Sequence, residues 1–221
     1  MKTIVIGGTG HIGTYLIPIL VDAGYNVVNI TRGKSKPYID NPAFQQIENI
    51  IIDRDTDCQF SEKISKLNPD IVIDLINFRL QDTQDIVREL QKTKIKHYLF
   101  CSSIWAHGRS CTLPLDPNDP HKSPLDEYGT NKFQSELYLK DQYQKNGFPC
   151  TIIMPGQICG PGWTIINPWG NTTLSVIQNI ANGEQIFLPN FGMETLHHIH
   201  AEDVAQLFFL ALTHRDQSLG Q

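Results

Sequence analysis

Short apolar runs rich in Val and Ile recur along the chain, and each is followed by a more polar stretch long enough for a helix. They are TIVIGG (Thr3 to Gly8), YNVVNITRG (Tyr25 to Gly33), IENIIIDRD (Ile47 to Asp55), DIVIDLINF (Asp70 to Phe78), KHYLFCSS (Lys96 to Ser103) and CTIIMPG (Cys150 to Gly156). The hydrophobicity within each run is continuous rather than alternating, as strands buried on both faces of a parallel sheet require. The pattern therefore predicts an α/β fold, a doubly wound parallel sheet with helices on both faces. From Gln157 to Asn190 the texture changes to Gly, Pro, Trp and Asn, with a helix expected around Thr173 to Asn182. The run LHHIHAEDVAQLFFLAL then returns to strand, turn and helix, with Asp203 in the first turn. The predicted division is a sheet domain over 1–156 and 194–221 and a small lobe over 157–193.

Composition narrows the class. At 221 residues, 40% hydrophobic and with formal charge −5, the chain reads as a soluble globular protein with no basic run to suggest a nucleic-acid partner. The apolar run in MKTIVIGGTG is too short for a signal segment or a membrane span, so a cytoplasmic location is expected. Cys58, Cys101, Cys111, Cys150 and Cys159 are odd in number and lack C-x-x-C spacing. They are expected to behave as small hydrophobes rather than as disulfides or zinc ligands. The alternate histidines of HHIH (His197, His198, His200) share a strand face without a third ligand, so no metal is expected.

The first strand runs into IVIGGTGHIGTYLIPIL, which places Gly7, Gly10 and Gly13 in G-x-x-G-x-x-G spacing before an amphipathic helix. Gly7 suits a tight turn, Gly10 close approach of backbone to a pyrophosphate, and Gly13 close packing of helix on strand. Free N–H groups at the helix start, in the stretch holding Thr9, His11 and Ile12, can hold the anion. This predicts a dinucleotide site and a Rossmann fold. At the end of the second strand an acid would bind the ribose 2′-hydroxyl of NAD, but the sequence has Thr31 and Arg32, with Lys34 close by. A guanidinium matches a 2′-phosphate, so NADP(H) is favoured over NAD(H). Asp53, taken as the end of the third strand, is a candidate for the adenine amino group. Ile76, Asn77 and Phe78, at the end of the fourth strand, are expected to border nicotinamide or substrate.

SPLDEYGTNKFQSELYLKDQYQKNG (Ser123 to Gly147) has helix punctuation: Ser123 as N-cap, Pro124 at the first helical position and Gly147 as the stop. Tyr128 and Lys132 then share one face of that helix.

The glycine loop, FCSSIWAHG and YGTNK together resemble the extended branch of the short-chain dehydrogenase/reductase family, which contains nucleotide-sugar epimerases and dehydratases. The match runs over nearly the whole chain. The resemblance implies Ser103 as a catalytic hydroxyl, with Tyr128 and Lys132 as acid/base and activator. MPGQICGPG is similar to the family's Arg-Pro-x-Asn-x-Tyr-Gly-Pro segment, with Met154, Gln157 and Cys159 in place of Arg, Asn and Tyr. Pro155 is expected near the cofactor and Gln157 near the substrate. Family chains usually continue well past this chain's end, so the substrate lobe is expected to be small and to lack part of its usual length.

A free tyrosine, with a pKa near 10, is a poor base at neutral pH. An ammonium about 4 Å away contributes roughly 4 kcal/mol at an effective dielectric near 20, so Lys132 is expected to pull Tyr128 down by up to about three pKa units. Trp105 and His107, in the loop after Ser103, are expected to face the substrate or to pack beneath that loop. The resulting expectation is an NAD(P)-dependent epimerase, dehydratase or carbonyl reductase acting on a nucleotide-sugar-like or other small hydroxy or carbonyl substrate, with a homodimer as an open option. The alternative is a non-catalytic dinucleotide-binding regulator or RNA-associated scaffold, because TRGK after the second strand is similar to an atypical branch that includes chloroplast RNA-associated proteins.

Overall fold

The structure is a computed structural model that describes residues 1–110, 112–119 and 121–221. In chain order its elements are β1 (Lys2–Ile6), α1 (His11–Asp22), β2 (Asn26–Thr31), β3 (Glu48–Ile51), α2 (Phe60–Lys66), β4 (Ile71–Asp74), α3 (Leu80–Leu90) and β5 (His97–Cys101). There follow α4 (Glu127–Asn146), β6 (Cys150–Ile153), β7 (Gln157–Cys159), α5 (Ser175–Ala181), β8 (His198–His200), α6 (Ala201–Thr213) and α7 (Arg215–Ser218).

Six strands form a parallel sheet in the order β3-β2-β1-β4-β5-β6. Successive residues of β1 point to opposite faces, and both faces are covered. Val5 joins Leu16, Leu20 and Phe208 on the side of α1 and α6, while Ile4 and Ile6 join Ile64, Ile86 and Leu139 on the side of α2, α3 and α4. That double burial explains the unbroken apolar runs. The chain winds outward from β1 to β2 and β3, then crosses to β4 on the other side. The order therefore reverses between β1 and β4, and this switch point opens a crevice at the carboxyl ends of the strands.

β7, which begins the predicted lobe, pairs in parallel with β8 as a separate two-stranded sheet, Gln157 opposite His198 and Cys159 opposite His200. The expected helix after Thr173 is α5. Three boundaries differ from expectation. β3 stops at Ile51, so Asp53 lies in the following loop, and β4 stops at Asp74, so Asn77 and Phe78 lie beyond it. The start of α4 also moves: the N-cap is Asp126, not Ser123, and its carboxylate accepts from the Gly129 N–H at 2.7 Å. Ser123 instead donates its N–H to His107 O at 3.0 Å in a bridge beside Gly108. Gly147 ends the helix in the left-handed region at φ 64°, as expected. Cys101 and Cys150 are buried, but Cys58 is exposed, and Cys111 lies outside the described residues. Among the described residues no helix is long and apolar enough to cross a membrane.

Candidate active site

The glycine loop closes the crevice from the β1 side. Gly7 has φ +89°, a left-handed turn that favours glycine. A Cβ on Gly13 would fall 2.3 Å from Gly8 O, so α1 can sit this close to the loop only with hydrogen there. α1 begins at His11 with Gly10 as N-cap and no side-chain cap. The Gly10 N–H is held by Gly7 O at 3.0 Å and the Thr14 N–H by Gly10 O at 2.9 Å, so the N–H groups of His11, Ile12 and Gly13 stand at the positive helix end without intrahelical acceptors. These features fit a dinucleotide pyrophosphate. One residue holding the loop was not singled out from sequence. Asn29, fully buried in β2, accepts from the Gly8 N–H at 3.0 Å and donates to Asn49 Oδ1 at 2.8 Å. Its signal was an amide interrupting the apolar run VVNI.

Beside the loop lies a cleft of about 190 Å³ whose walls include Thr31, Arg32, Asp53, Arg54, Ile76 and Phe78. Five of these six were selected from sequence, and the structure brings them together. Arg32 is exposed. Lys34 stands 4.0 Å from Asp53, and Thr9 Oγ1 lies 3.4 Å from Thr31 Oγ1 across the mouth.

On the other side of the switch point, β5 ends at Cys101, and Ser102 and Ser103 follow at its carboxyl end. α4 packs its first turn onto the short turn Ile104–Ala106 so tightly that a Cβ on Gly129 would meet Trp105 O at 2.3 Å. This approach sets Tyr128 beside Ser103. Phe78 completes the group, its ring centroid 6.1 Å from that of Tyr128. Lys132 is only 2% exposed, and its ammonium donates to Asn77 O at 2.7 Å and Cys101 O at 2.6 Å.

The expected electrostatics are corrected here. Lys132 Nζ is 5.6 Å from the Tyr128 ring centroid, with two carbonyls already claiming it. Burial raises the Tyr128 pKa above its ordinary 10, and the neighbouring Ser103 hydroxyl pulls it back only in part. Burial likewise lowers Lys132 from 10.5. Desolvation of the phenolate thus outweighs the charge that sequence spacing alone suggested.

A crevice at the switch point, a glycine-loop anion cradle and a serine–tyrosine–lysine cluster define a family comparison, and the model of the NAD dependent epimerase/dehydratase family matches residues 3–220. The chain belongs to that family. Among its relatives, the chloroplast stem-loop binding protein of 41 kDa b of Arabidopsis thaliana is 27% identical over 96% of this chain and 55% of its own length. A putative UDP-glucose 4-epimerase of Methanocaldococcus jannaschii is 26% identical over 97% of this chain and 74% of its own. The chain thus spans little more than half the first relative and about three-quarters of the second. Among solved structures, the UDP-N-acetylglucosamine 4-epimerase of Methanobrevibacter ruminantium M1 in complex with UDP-N-acetylmuramic acid superposes with TM-score 0.76 at 22% identity, covering 96% of this chain and 73% of that one. The UDP-glucose 4-epimerase of Brucella ovis in complex with NAD gives 0.72 at 19% identity, covering 98% and 74%. These likenesses fix the shared Rossmann fold.

Within this epimerase/dehydratase framework the remaining residues divide. Trp105 is part-exposed at the rim, whereas His107 is buried beneath the loop, with Nε2 3.1 Å from Asp116 O. Pro155 O accepts from the Ile104 N–H at 2.9 Å and so fixes the loop after Ser103. Gln157 lies in β7, in the separate two-stranded sheet with β8. Ser102, the twin of Ser103, donates its hydroxyl to Glu136, which pairs with Lys122 at 2.7 Å in a buried ion pair. His11 is buried between Tyr38 and Trp163, with ring centroids 4.0 and 3.7 Å away. Its ring is therefore packed away from the crevice by these aromatic contacts, and what it can offer a cofactor is its backbone N–H.

Proposed function

We propose that this chain is an NAD(P)-dependent nucleotide-sugar epimerase or dehydratase in which Ser103, Tyr128 and Lys132 form the working set. The observation that carries this reading is the placement of Tyr128, beside Ser103 at the carboxyl end of β5 and on the same helix face as the buried Lys132, next to the nucleotide cleft. The solved epimerases named above support the substrate class, since those proteins are described with UDP-sugars or NAD. Arg32 beside Thr31 in the cleft supports NADP(H) over NAD(H) in this chain, and the segment 157–193 is assigned as the substrate lobe.

When bound, the dinucleotide supplies hydride exchange at its nicotinamide ring and, oxidised, a positive charge. Ser103 donates a hydrogen bond to the reacting oxygen and orients it. Tyr128, held as a phenol by its burial, is placed to give its proton to that oxygen as it gains negative charge. Taking the proton back requires added positive charge nearby, because the free phenol titrates above its ordinary value. Lys132, clamped by two carbonyls, supplies a fixed cation beneath the ring and keeps α4 pinned to the strand ends.

A second reading, a non-catalytic RNA-associated protein, draws on the stem-loop binding relative, whose match runs over 96% of the chain. The two separate in one experiment. The protein is incubated with UDP-glucose, UDP-galactose and UDP-N-acetylglucosamine, and sugar interconversion, reduced-cofactor absorbance and stem-loop RNA retention are measured. Interconversion without net cofactor consumption supports the epimerase. RNA retention without turnover of any sugar overturns it in favour of the scaffold.

A further inference from the structure

The cleft wall also contains Arg54, which was not singled out from sequence. Its guanidinium stacks 4.6 Å over the Phe60 ring, donates to Ile76 O at 3.1 Å and meets Asp74 Oδ2 at 2.7 Å, with only 8% of the arginine side chain and none of the aspartate exposed. The same carboxylate oxygen accepts from Tyr98 Oη at 3.0 Å and Asn77 Nδ2 at 3.1 Å, while Oδ1 has no partner among the described residues. Asn77 is fixed at its other end too: the Thr83 hydroxyl donates to Asn77 Oδ1 at 3.1 Å and lies 3.0 Å from Ser135 Oγ. Both ends of its side-chain amide are thus held, and its backbone carbonyl is one of the two that grip Lys132.

We propose that Arg54 and Asp74 are positioning residues, a buried ion pair that joins the wall of the nucleotide cleft to the carbonyl holding Lys132. A well-packed apolar pair of similar volume would be at least as stable at such a site, so stability alone gives weak reason for a buried arginine and aspartate there. A charged junction that lines the cleft and reaches the lysine through Asn77 does what an apolar pair cannot. It fixes the direction of the Asn77 carbonyl, and it balances charge around the buried ammonium. The titratable and charged groups whose fields reach that ammonium are Asp74 from β4, Arg54 from the loop after β3, Cys101 from β5 and Glu136 from α4, with the Tyr128 ring centroid 5.6 Å away. Asp74 favours the protonated lysine and Arg54 opposes it.

The inference rests on the proposed role of Lys132, but its test does not require the substrate to be known. Lysine side chains of the full chain are labelled with ¹³C and ¹⁵N, the Lys132 signal is assigned by its loss in Lys132→Arg, and its ionisation is followed by NMR. In Asp74→Asn the Lys132 midpoint shifts down, in Arg54→Met it shifts up, and in Arg54→Lys, which keeps the charge, it stays near that of the unaltered protein. Shifts of one sign in Asp74→Asn and Arg54→Met, or an unmoved midpoint in Arg54→Met, would overturn the junction. Should Asp74→Asn fail to fold, the contrast between Arg54→Met and Arg54→Lys decides by itself. A chain without sugar turnover but with these opposed shifts would sink the epimerase reading and leave the junction standing.

Discussion

At the scale of single residues, a buried histidine makes the fold sensitive to acid. His97 in β5 is fully buried, and its Nε2 lies 2.8 Å from Thr151 Oγ1. The Thr151 hydroxyl gives its own hydrogen to Ser218 O at 2.7 Å, so the imidazole must donate through Nε2, and Nδ1 is left without a partner. Protonating Nδ1 would place an unpaired charge in the core. Burial, aided by Arg215, accordingly lowers the pKa from 6.5 to about 4. The unfolded chain binds this proton first, so stability is intact above pH 6.5 and falls as the pH drops towards about 4. His11, lowered to about 4 by burial and by His200, adds in the same direction. Chemical denaturation of His97→Gln across this window is expected to show a shallower pH dependence, with a difference of roughly 3 kcal/mol at the acid end; an unchanged slope would contradict the assignment. Arg32 carries a separate prediction. Arg32→Ala should weaken NADPH about tenfold or more and leave NADH nearly unchanged in a fluorescence titration, whereas equal losses would remove the 2′-phosphate role.

At the scale of elements, α4 shows what sequence reveals and what it hides. The spacing of Tyr128 and Lys132, the stop at Gly147 and the shared face all follow from local rules, and all hold. The start does not, because Ser123 is drawn into a bridge with His107 and Gly108, residues distant in sequence, and Asp126 takes over as cap. Asp126→Ala is expected to cost about 1 kcal/mol in thermal or chemical denaturation. Gly129→Ala should cost more, since its Cβ must displace the Trp105 carbonyl, and it should reduce turnover beyond the loss of stability by moving Tyr128 away from Ser103. The strands and the glycine loop were equally legible, because double burial and a tight βα turn leave their marks within a dozen residues. The upward shift of Tyr128 was not, since it depends on how deeply the ring is buried and on which carbonyls capture Lys132. Nor was the Arg54–Asp74 pair, whose members stand 20 residues apart and meet only through the sheet order.

At the scale of the whole molecule, the reversal of strand order between β1 and β4 brings the two halves of the site together. One half offers a glycine loop and cleft, the other a phenol, a hydroxyl and a buried ammonium, and Phe78 stands between them, 51% exposed. The central claim is that the phenolic oxygen of Tyr128 exchanges a proton with a sugar oxygen at this junction. Its most direct test is the rate of UDP-sugar interconversion by Tyr128→Phe, with cofactor affinity measured on the same preparation. The account predicts a fall of at least about 100-fold in rate with cofactor affinity preserved within a few-fold. Unaltered interconversion by the phenylalanine variant would contradict it.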